Sequence, residues 1–309
     1  MLMICFHHHN QEILQASYIG VEFYFILSGL FLYRSAIKPQ APGTIDFTLL
    51  KLKRFIPELL LVLPLALYAK FERDTPDFFY EHLSVYLADG VGIGGMFEQG
   101  ANDPLWYISV LIWAGGLLYG ILKYNRSLAI HIILPTIALF GGTYIVSRRF
   151  NLFDVVGFMP TPFVRGLAEM SMGILLSYFL LCKRELLISH RAIVGVLSVL
   201  GFCGFLAYAL FFPMNPAFVF FCLILFVLGL FIPGTPFQRL FNHKCWEFFG
   251  SISLEMLLIH MPIINIFHYH SVNWAMSPLV KLGLLFAIII ASSILLHYLY
   301  QYLTKKLFG

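Results

Sequence analysis

Apolar residues occur along this chain in long runs that are separated by short polar segments. A helix that crosses a membrane needs about 20 predominantly apolar residues, and nine runs come close to that length. They cover residues 18–34, 55–70, 105–122, 128–146, 163–182, 192–211, 216–232, 247–268 and 279–302. None of these runs alternates between apolar and polar positions as a half-buried strand does. The pattern therefore predicts an all-α, polytopic transmembrane helix bundle with nine full spans.

The opening stretch, Met1–His9, is apolar up to Phe6 but too short to cross a membrane by itself. It lacks the basic start and the small-residue cleavage site of a signal peptide. We expect it to be the end of a partial first helix whose beginning is missing. The chain is then one integral membrane domain over residues 1–309, with an incomplete first helix.

Composition supports a membrane protein and excludes several other classes. Hydrophobic residues make up 60% of the chain and charged residues 12%, whereas a soluble domain is about half apolar and roughly a quarter charged. A soluble enzyme, a disordered protein and a nucleic-acid binder are therefore excluded, and no nucleic-acid partner is expected. The five cysteines are scattered without a CxxC spacing, which predicts neither a disulfide framework nor a metal site.

The positions of lysine and arginine give the predicted orientation in the membrane. With the N-terminus in the cytoplasm, 14 of the 20 basic residues fall on the cytoplasmic side and four on the outer side. This distribution satisfies the positive-inside rule. It predicts a multi-pass protein of the cell membrane with a cytoplasmic C-terminus, and it makes the acidic stretch 71–104 an outer loop.

Ionisable side chains inside the predicted spans are the first candidates for function, because such groups are costly in lipid unless they are paired or hydrated. They are His7, His8, His9, Glu22, Glu58, Arg165, Glu169, Glu255 and His260. Imidazole is the side chain best suited to take a proton from a hydroxyl group near neutral pH. The opening histidines could equally be interfacial residues, and His260 could be an ordinary packing residue.

Three of the motifs have a structural and a functional interpretation. Arg165 and Glu169 lie one helical turn apart and can form an ion pair, which would be either structural or catalytic. Small residues at Ser28–Gly29 would admit either a neighbouring helix or a narrow ligand. Cations precede Pro57, which predicts a helix that starts there and offers its N-terminus to phosphates. The alternative for those cations is anchoring at the membrane surface or binding of anionic lipids.

Six segments resemble those of the membrane acyltransferase-3 family, multi-spanning proteins similar to bacterial O-acetyltransferases of surface polysaccharides. The segments are MICFHHH, YIGVEFYFILSGLFLYRS, LKRFIPELL, PLWYISVL, VRGLAEMSMGILLSY and GSISLEMLLIHMPII, in this order along nearly the whole chain. The second segment is the most specific of the six.

The resemblance implies transfer of an acyl group, in the first instance acetyl, from acyl-CoA to a hydroxyl of a surface or lipid-linked glycan. Acyl-CoA is then a co-substrate, membrane lipids surround the protein, no metal is needed, and the location is the bacterial inner membrane. His7, with His8 as the other choice, would act as general base or acyl carrier, and Glu22 would orient it. Arg165 and His260 would stabilise the acyl oxygen or hold the acceptor. The CoA phosphates would bind Arg34, Lys53 and Arg54.

Two other functions remain open at the level of sequence. A transporter or permease could use the intramembrane histidine and glutamate residues as a proton relay, and Pro135, Pro233 and Pro262 could break its helices. An inactive relative could serve as a scaffold for glycan assembly.

Overall fold

The computed structural model describes residues 16–96, 100–148, 155–156, 159–211, 215–271 and 274–308. The chain divides into two compact units. Unit 1 takes its described residues from Leu50–Ser109 and Phe248–Gly309, and unit 2 takes them from Asn10–Leu49 and Val110–Glu247. The partial first helix predicted at Met1–His9 lies outside the described residues, as do His7 and His8.

Helices account for nearly all of the described chain. In chain order they are α1 (Gly20–Ala36), α2 (Thr44–Arg73), α3 (Pro76–Glu81), α4 (Leu83–Ala88), α5 (Leu105–Tyr124), α6 (Arg126–Ser147), α7 (Thr161–Cys182), α8 (Arg184–Ser189), α9 (Arg191–Phe211), α10 (Pro216–Phe231), α11 (Pro236–Phe241), α12 (Lys244–Ser251), α13 (Ser253–Ser271) and α14 (Pro278–Phe308). Single 3₁₀ turns occupy Ser17–Ile19 and Asp89–Val91, and α6 contains a π-helical turn at Ala129–Ile133. Strands β1 (Val155–Val156) and β2 (Met159–Pro160) pair antiparallel, with Val155 opposite Pro160.

This architecture confirms the predicted all-α transmembrane fold. Among the described residues, five helices are long and apolar enough to cross a membrane, namely α5, α6, α7, α9 and most of α14. Helices α12 and α13 meet at a bend of 55° and would add a sixth crossing as one broken span. The remaining predicted spans fall on α1 and α10, which have 17 and 16 residues, and on α2. The predicted number of nine full spans stays a prediction.

The predicted helix start at Pro57 is wrong. Helix α2 begins at Thr44 and runs through both Pro57 and Pro64 to Arg73. A proline inside a helix removes one backbone hydrogen bond, but helices in membranes tolerate it because neighbouring groups compensate. Lys53 and Arg54 therefore project from the side of a continuous helix, and a phosphate site built on a helix N-terminus does not exist at this position.

Two glycines bring α1 and α7 into close contact in unit 2. A β-carbon at Gly29 would overlap the backbone carbonyl of Met170, and one at Gly173 would overlap the carbonyl of Ile26. Only glycine at both positions allows the two backbones to approach so closely. Gly29 therefore serves helix packing, so at this position the neighbouring helix, and not a narrow ligand, occupies the space.

The predicted outer loop of unit 1 is folded around a buried acid, Asp89. Its carboxylate accepts a hydrogen bond of 2.9 Å from the backbone N–H of Asn102, whose side-chain amide donates to the carbonyl of Leu258 on α13 at 2.6 Å. A β-carbon at Gly94 or Gly100 would overlap this carboxylate, so the loop can close around it only with glycine there. Burial raises the pKa of Asp89 to about 7, because the charged form loses its hydration.

Candidate functional site

Three charged side chains from α1 and α7 meet in the interior of unit 2. Glu22 and Glu169 are fully buried, and Arg165 is 2% exposed. The Arg165 Nε donates to Glu22 Oε2 at 2.9 Å and approaches Glu169 Oε1 at 3.3 Å, while Arg165 Nη2 donates to Glu22 Oε1. Glu22 thus receives the guanidinium in the two-pronged geometry that makes arginine–carboxylate pairs strong. We call these three residues the Glu–Arg–Glu cluster.

The local sequence explains how the helices position this cluster. Glu22 stands in the first turn of α1, while Arg165 and Glu169 share one face of α7 because they are four residues apart. The glycine contact of α1 with α7 fixes the register at which the two helices meet. The sequence predicted the pairing of Arg165 with Glu169, and the structure adds Glu22 as the closer partner.

The charges of the cluster do not balance when both acids are ionised. One guanidinium then faces two carboxylates, and the Oε2 atom of Glu169 is buried without a hydrogen-bond partner among the described residues. An uncompensated buried charge is strongly destabilising. The second oxygen of Glu169 is therefore the atom of this cluster that is suited to take up a proton or to accept a hydrogen bond from a bound hydroxyl group.

His260 lies in unit 1, fully buried on α13. Its Nδ1 atom is 3.0 Å from the carbonyl oxygen of Met256 and 2.9 Å from that of Leu257. Because both neighbours are acceptors, we assign the proton to Nδ1, which makes Nε2 the basic nitrogen of the ring. The assigned tautomer suits a residue that accepts a proton or a hydrogen bond through Nε2.

The three candidate cations for CoA phosphates belong to different units. Lys53 and Arg54 are exposed on α2 in unit 1, and the backbone carbonyl of Arg54 accepts a hydrogen bond of 3.4 Å from the Tyr300 hydroxyl. Arg34 is half-buried at the end of α1 in unit 2, with its guanidinium 4.7 Å from the ring centre of Phe231. A joint phosphate site for all three cations stays a prediction.

Unit 1 also contains two buried acids near each other, and one of them contacts a histidine that the sequence analysis did not predict. Glu255 on α13 lies 2.5 Å from Nδ1 of His297 on α14, and Gln301 contacts the other ring nitrogen at 2.8 Å. Glu58 on α2 is within electrostatic range of Glu255, and both acids are 3% exposed. The sequence feature that indicates His297 is an imidazole within a long apolar run, the same feature that indicates His260.

The described residues offer no metal site, and two grooves of unit 2 lie away from the Glu–Arg–Glu cluster. No group of three His, Cys, Asp or Glu side chains in the described ranges could hold a metal ion. Unit 2 carries grooves of about 400 Å³ beside α9 and about 300 Å³ beside α5, and the Glu–Arg–Glu cluster lines neither of them. The burial of all three side chains places the cluster in the packed helix interior.

Apolar helices of spanning length, together with charged side chains buried between them, define a multi-pass membrane protein. A comparison with protein families gives its chemistry. The model of an acyltransferase domain, the acyltransferase-3 family, matches residues 1–298, and the chain belongs to that family. The protein is accordingly a membrane acyltransferase. Searches among curated proteins and among solved structures find no match.

Proposed function

We propose that the protein transfers an acyl group, acetyl in the first instance, from acyl-CoA to a hydroxyl group of a surface or lipid-linked glycan. The observation that carries this proposal is the family match over residues 1–298. The choice of donor and acceptor rests on the resemblance of six segments to O-acetyltransferases of surface polysaccharides. The exposed cations on α2 support a phosphate-bearing donor, because cationic side chains form strong charge-assisted hydrogen bonds to phosphate oxygens.

In the proposed reaction, the oxygen of the sugar hydroxyl attacks the thioester carbonyl carbon, and the carbon–sulfur bond breaks. The imidazole of His7, or of His8, takes the hydroxyl proton and passes it to the leaving CoA thiolate. Glu22 orients that histidine. Both oxygens of Glu22 already accept hydrogen bonds from Arg165, and each carboxylate oxygen has a second lone pair that can accept an imidazole N–H.

The buried guanidinium supports a role in stabilising charge. Arg165 is held by two carboxylates in a site that excludes water, where a hydrogen bond to a developing oxyanion is stronger than in solution. In the proposal, Arg165 and His260 stabilise the acyl oxygen or hold the acceptor. Arg34, Lys53 and Arg54 bind the CoA phosphates.

The test is an acyl-transfer assay with the full chain purified into proteoliposomes. Radiolabelled acetyl-CoA and a glycan extract are supplied, and both labelled glycan and free CoA thiol are measured. The His7→Ala, His8→Ala double variant should lose transfer. The matched control, His190→Ala, should retain it because His190 is an exposed residue between α8 and α9.

Each outcome of this assay distinguishes one part of the proposal. Undiminished transfer in the double variant would refute the assignment of the general base. Release of CoA thiol without labelled glycan would refute the acceptor class. Proton-coupled uptake of a solute without acyl-CoA, and with no release of thiol in its presence, would favour the transporter instead.

A further inference from the structure

Unit 2 has a groove beside α9 that the proposed acyl transfer does not use. Its volume is about 400 Å³. One wall comes from the first turns of α9, and the other comes from the turn that precedes α11. The lining includes Arg191, Gly195, Val196, Leu200, Gly234 and Pro236.

One end of the groove is cationic. Arg191 is the first residue of α9 and is exposed. Its side chain lies along the turn at Gly234, where a β-carbon would be 3.6 Å from the Arg191 Cδ atom. Gly234 has a φ of 86°, a conformation that favours glycine. In the described part of the chain, the ion pairs do not include Arg191, so its charge is available to a ligand.

The wall of the groove along α9 is apolar and exposed. Val196 is 61% exposed and Leu200 60%, and both stand on a helix that is long and apolar enough to cross a membrane. Such positions face lipid chains in a membrane, because exposed apolar side chains of spanning helices contact hydrocarbon. The groove is therefore open to the bilayer along its length and presents a guanidinium at one end.

A cationic end and an apolar wall together favour one kind of ligand. A soluble anion would satisfy Arg191 and leave the apolar wall uncovered, while a neutral lipid would cover the wall without pairing the charge. The orientation predicted from the positive-inside rule puts Arg191 at the cytoplasmic surface, where anionic lipids attract basic residues. We propose that the groove binds one anionic phospholipid, with its phosphate group at Arg191 and an acyl chain along Val196 and Leu200.

The test of the charged end is native mass spectrometry of the full chain in detergent, titrated with phosphatidylglycerol and, separately, phosphatidylcholine. Arg191→Gln should weaken phosphatidylglycerol binding about fivefold, the factor expected for one basic residue at an anionic surface. Phosphatidylcholine binding should not change. The matched control is Arg126→Gln, which removes an exposed arginine from the first position of α6, outside the groove. Equal losses in both variants, or equal affinity of the wild type for the two lipids, would overturn the proposal.

The apolar wall needs its own variant. Val196→Trp fills the groove and should lower the occupancy of phosphatidylglycerol. Leu139→Trp places the same side chain at a lipid-facing position of α6 that is 67% exposed, and it should leave binding unchanged. Glycerol phosphate, which carries the headgroup charge without chains, should not compete. Unchanged binding in Val196→Trp, or competition by glycerol phosphate, would show that the acyl chain does not occupy the groove.

Discussion

Replacing Arg165 by methionine would leave two fully buried carboxylates without their counter-charge. Arg165 makes an ion pair with Glu22 and another with Glu169, and both acids have no exposed surface. Breaking a buried ion pair by removing one partner costs about 3–5 kcal/mol. We therefore expect Arg165→Met to lower the free energy of unfolding by about that amount, measured by denaturant titration in mixed micelles.

The hydrogen bonds predict an order of effects within the cluster. Glu22 accepts hydrogen bonds from two nitrogen atoms of Arg165, whereas Glu169 is contacted only at 3.3 Å and has one oxygen without a partner among the described residues. Glu22→Gln should therefore destabilise the protein more than Glu169→Gln. Arg165→Lys should also destabilise it, because an ammonium group cannot donate in the two-pronged geometry.

A triple variant separates stability from chemistry. Changing Arg165, Glu22 and Glu169 all to methionine removes every charge of the cluster, and replacing a buried ion pair by apolar residues of similar volume is often neutral or stabilising. The triple variant should recover most of the stability lost by Arg165→Met and should still fail to transfer acetyl. A larger loss from Glu169→Gln than from Glu22→Gln would refute the assignment of partners. Full activity in the stable triple variant would make the cluster purely structural.

Two further predictions concern packing and pH. Gly173→Ala should destabilise the protein by about 1–3 kcal/mol because its β-carbon enters the carbonyl of Ile26, and thermal melts should show no such loss for Gly115→Ala, whose β-carbon meets its nearest neighbour at 3.4 Å. Equal melting temperatures of the two variants would contradict the packing argument. Asp89 has its pKa raised to about 7 in the fold, so its contribution to stability should fall as the pH rises from about 4 to 7. Asp89→Asn should lack this fall and should be the more stable protein at pH 8, and an identical pH profile for both would exclude Asp89 as its source.

The sequence predicted which charged residues lie within the apolar helices better than it predicted their partners. Glu22 and Arg165 stand out because ionisable groups are costly in apolar runs. The pairing of Arg165 with Glu169 follows from helix geometry alone. The pairing with Glu22 joins residues 143 positions apart and depends on how α1 packs on α7, which no local pattern contains.

The wrong helix start at Pro57 and the omission of His297 have similar physical causes. Pro57 predicts a helix start because proline favours the first turn, yet α2 extends on both sides of it. His297 has no charged neighbour within a few residues of sequence, and its partner Glu255 lies 42 positions earlier. His7 and His8 stay predictions, and so does the grouping of Arg34 with Lys53 and Arg54.

The glycine contact limits where motion can occur. With Gly29 against one carbonyl and Gly173 against another, the two helices cannot slide past each other, because slippage by one turn would shift them about 5.4 Å and set bulkier side chains in the glycine positions. We therefore expect α1 and α7 to move together as one unit, and we expect any opening that admits donor or acceptor to form between other helices.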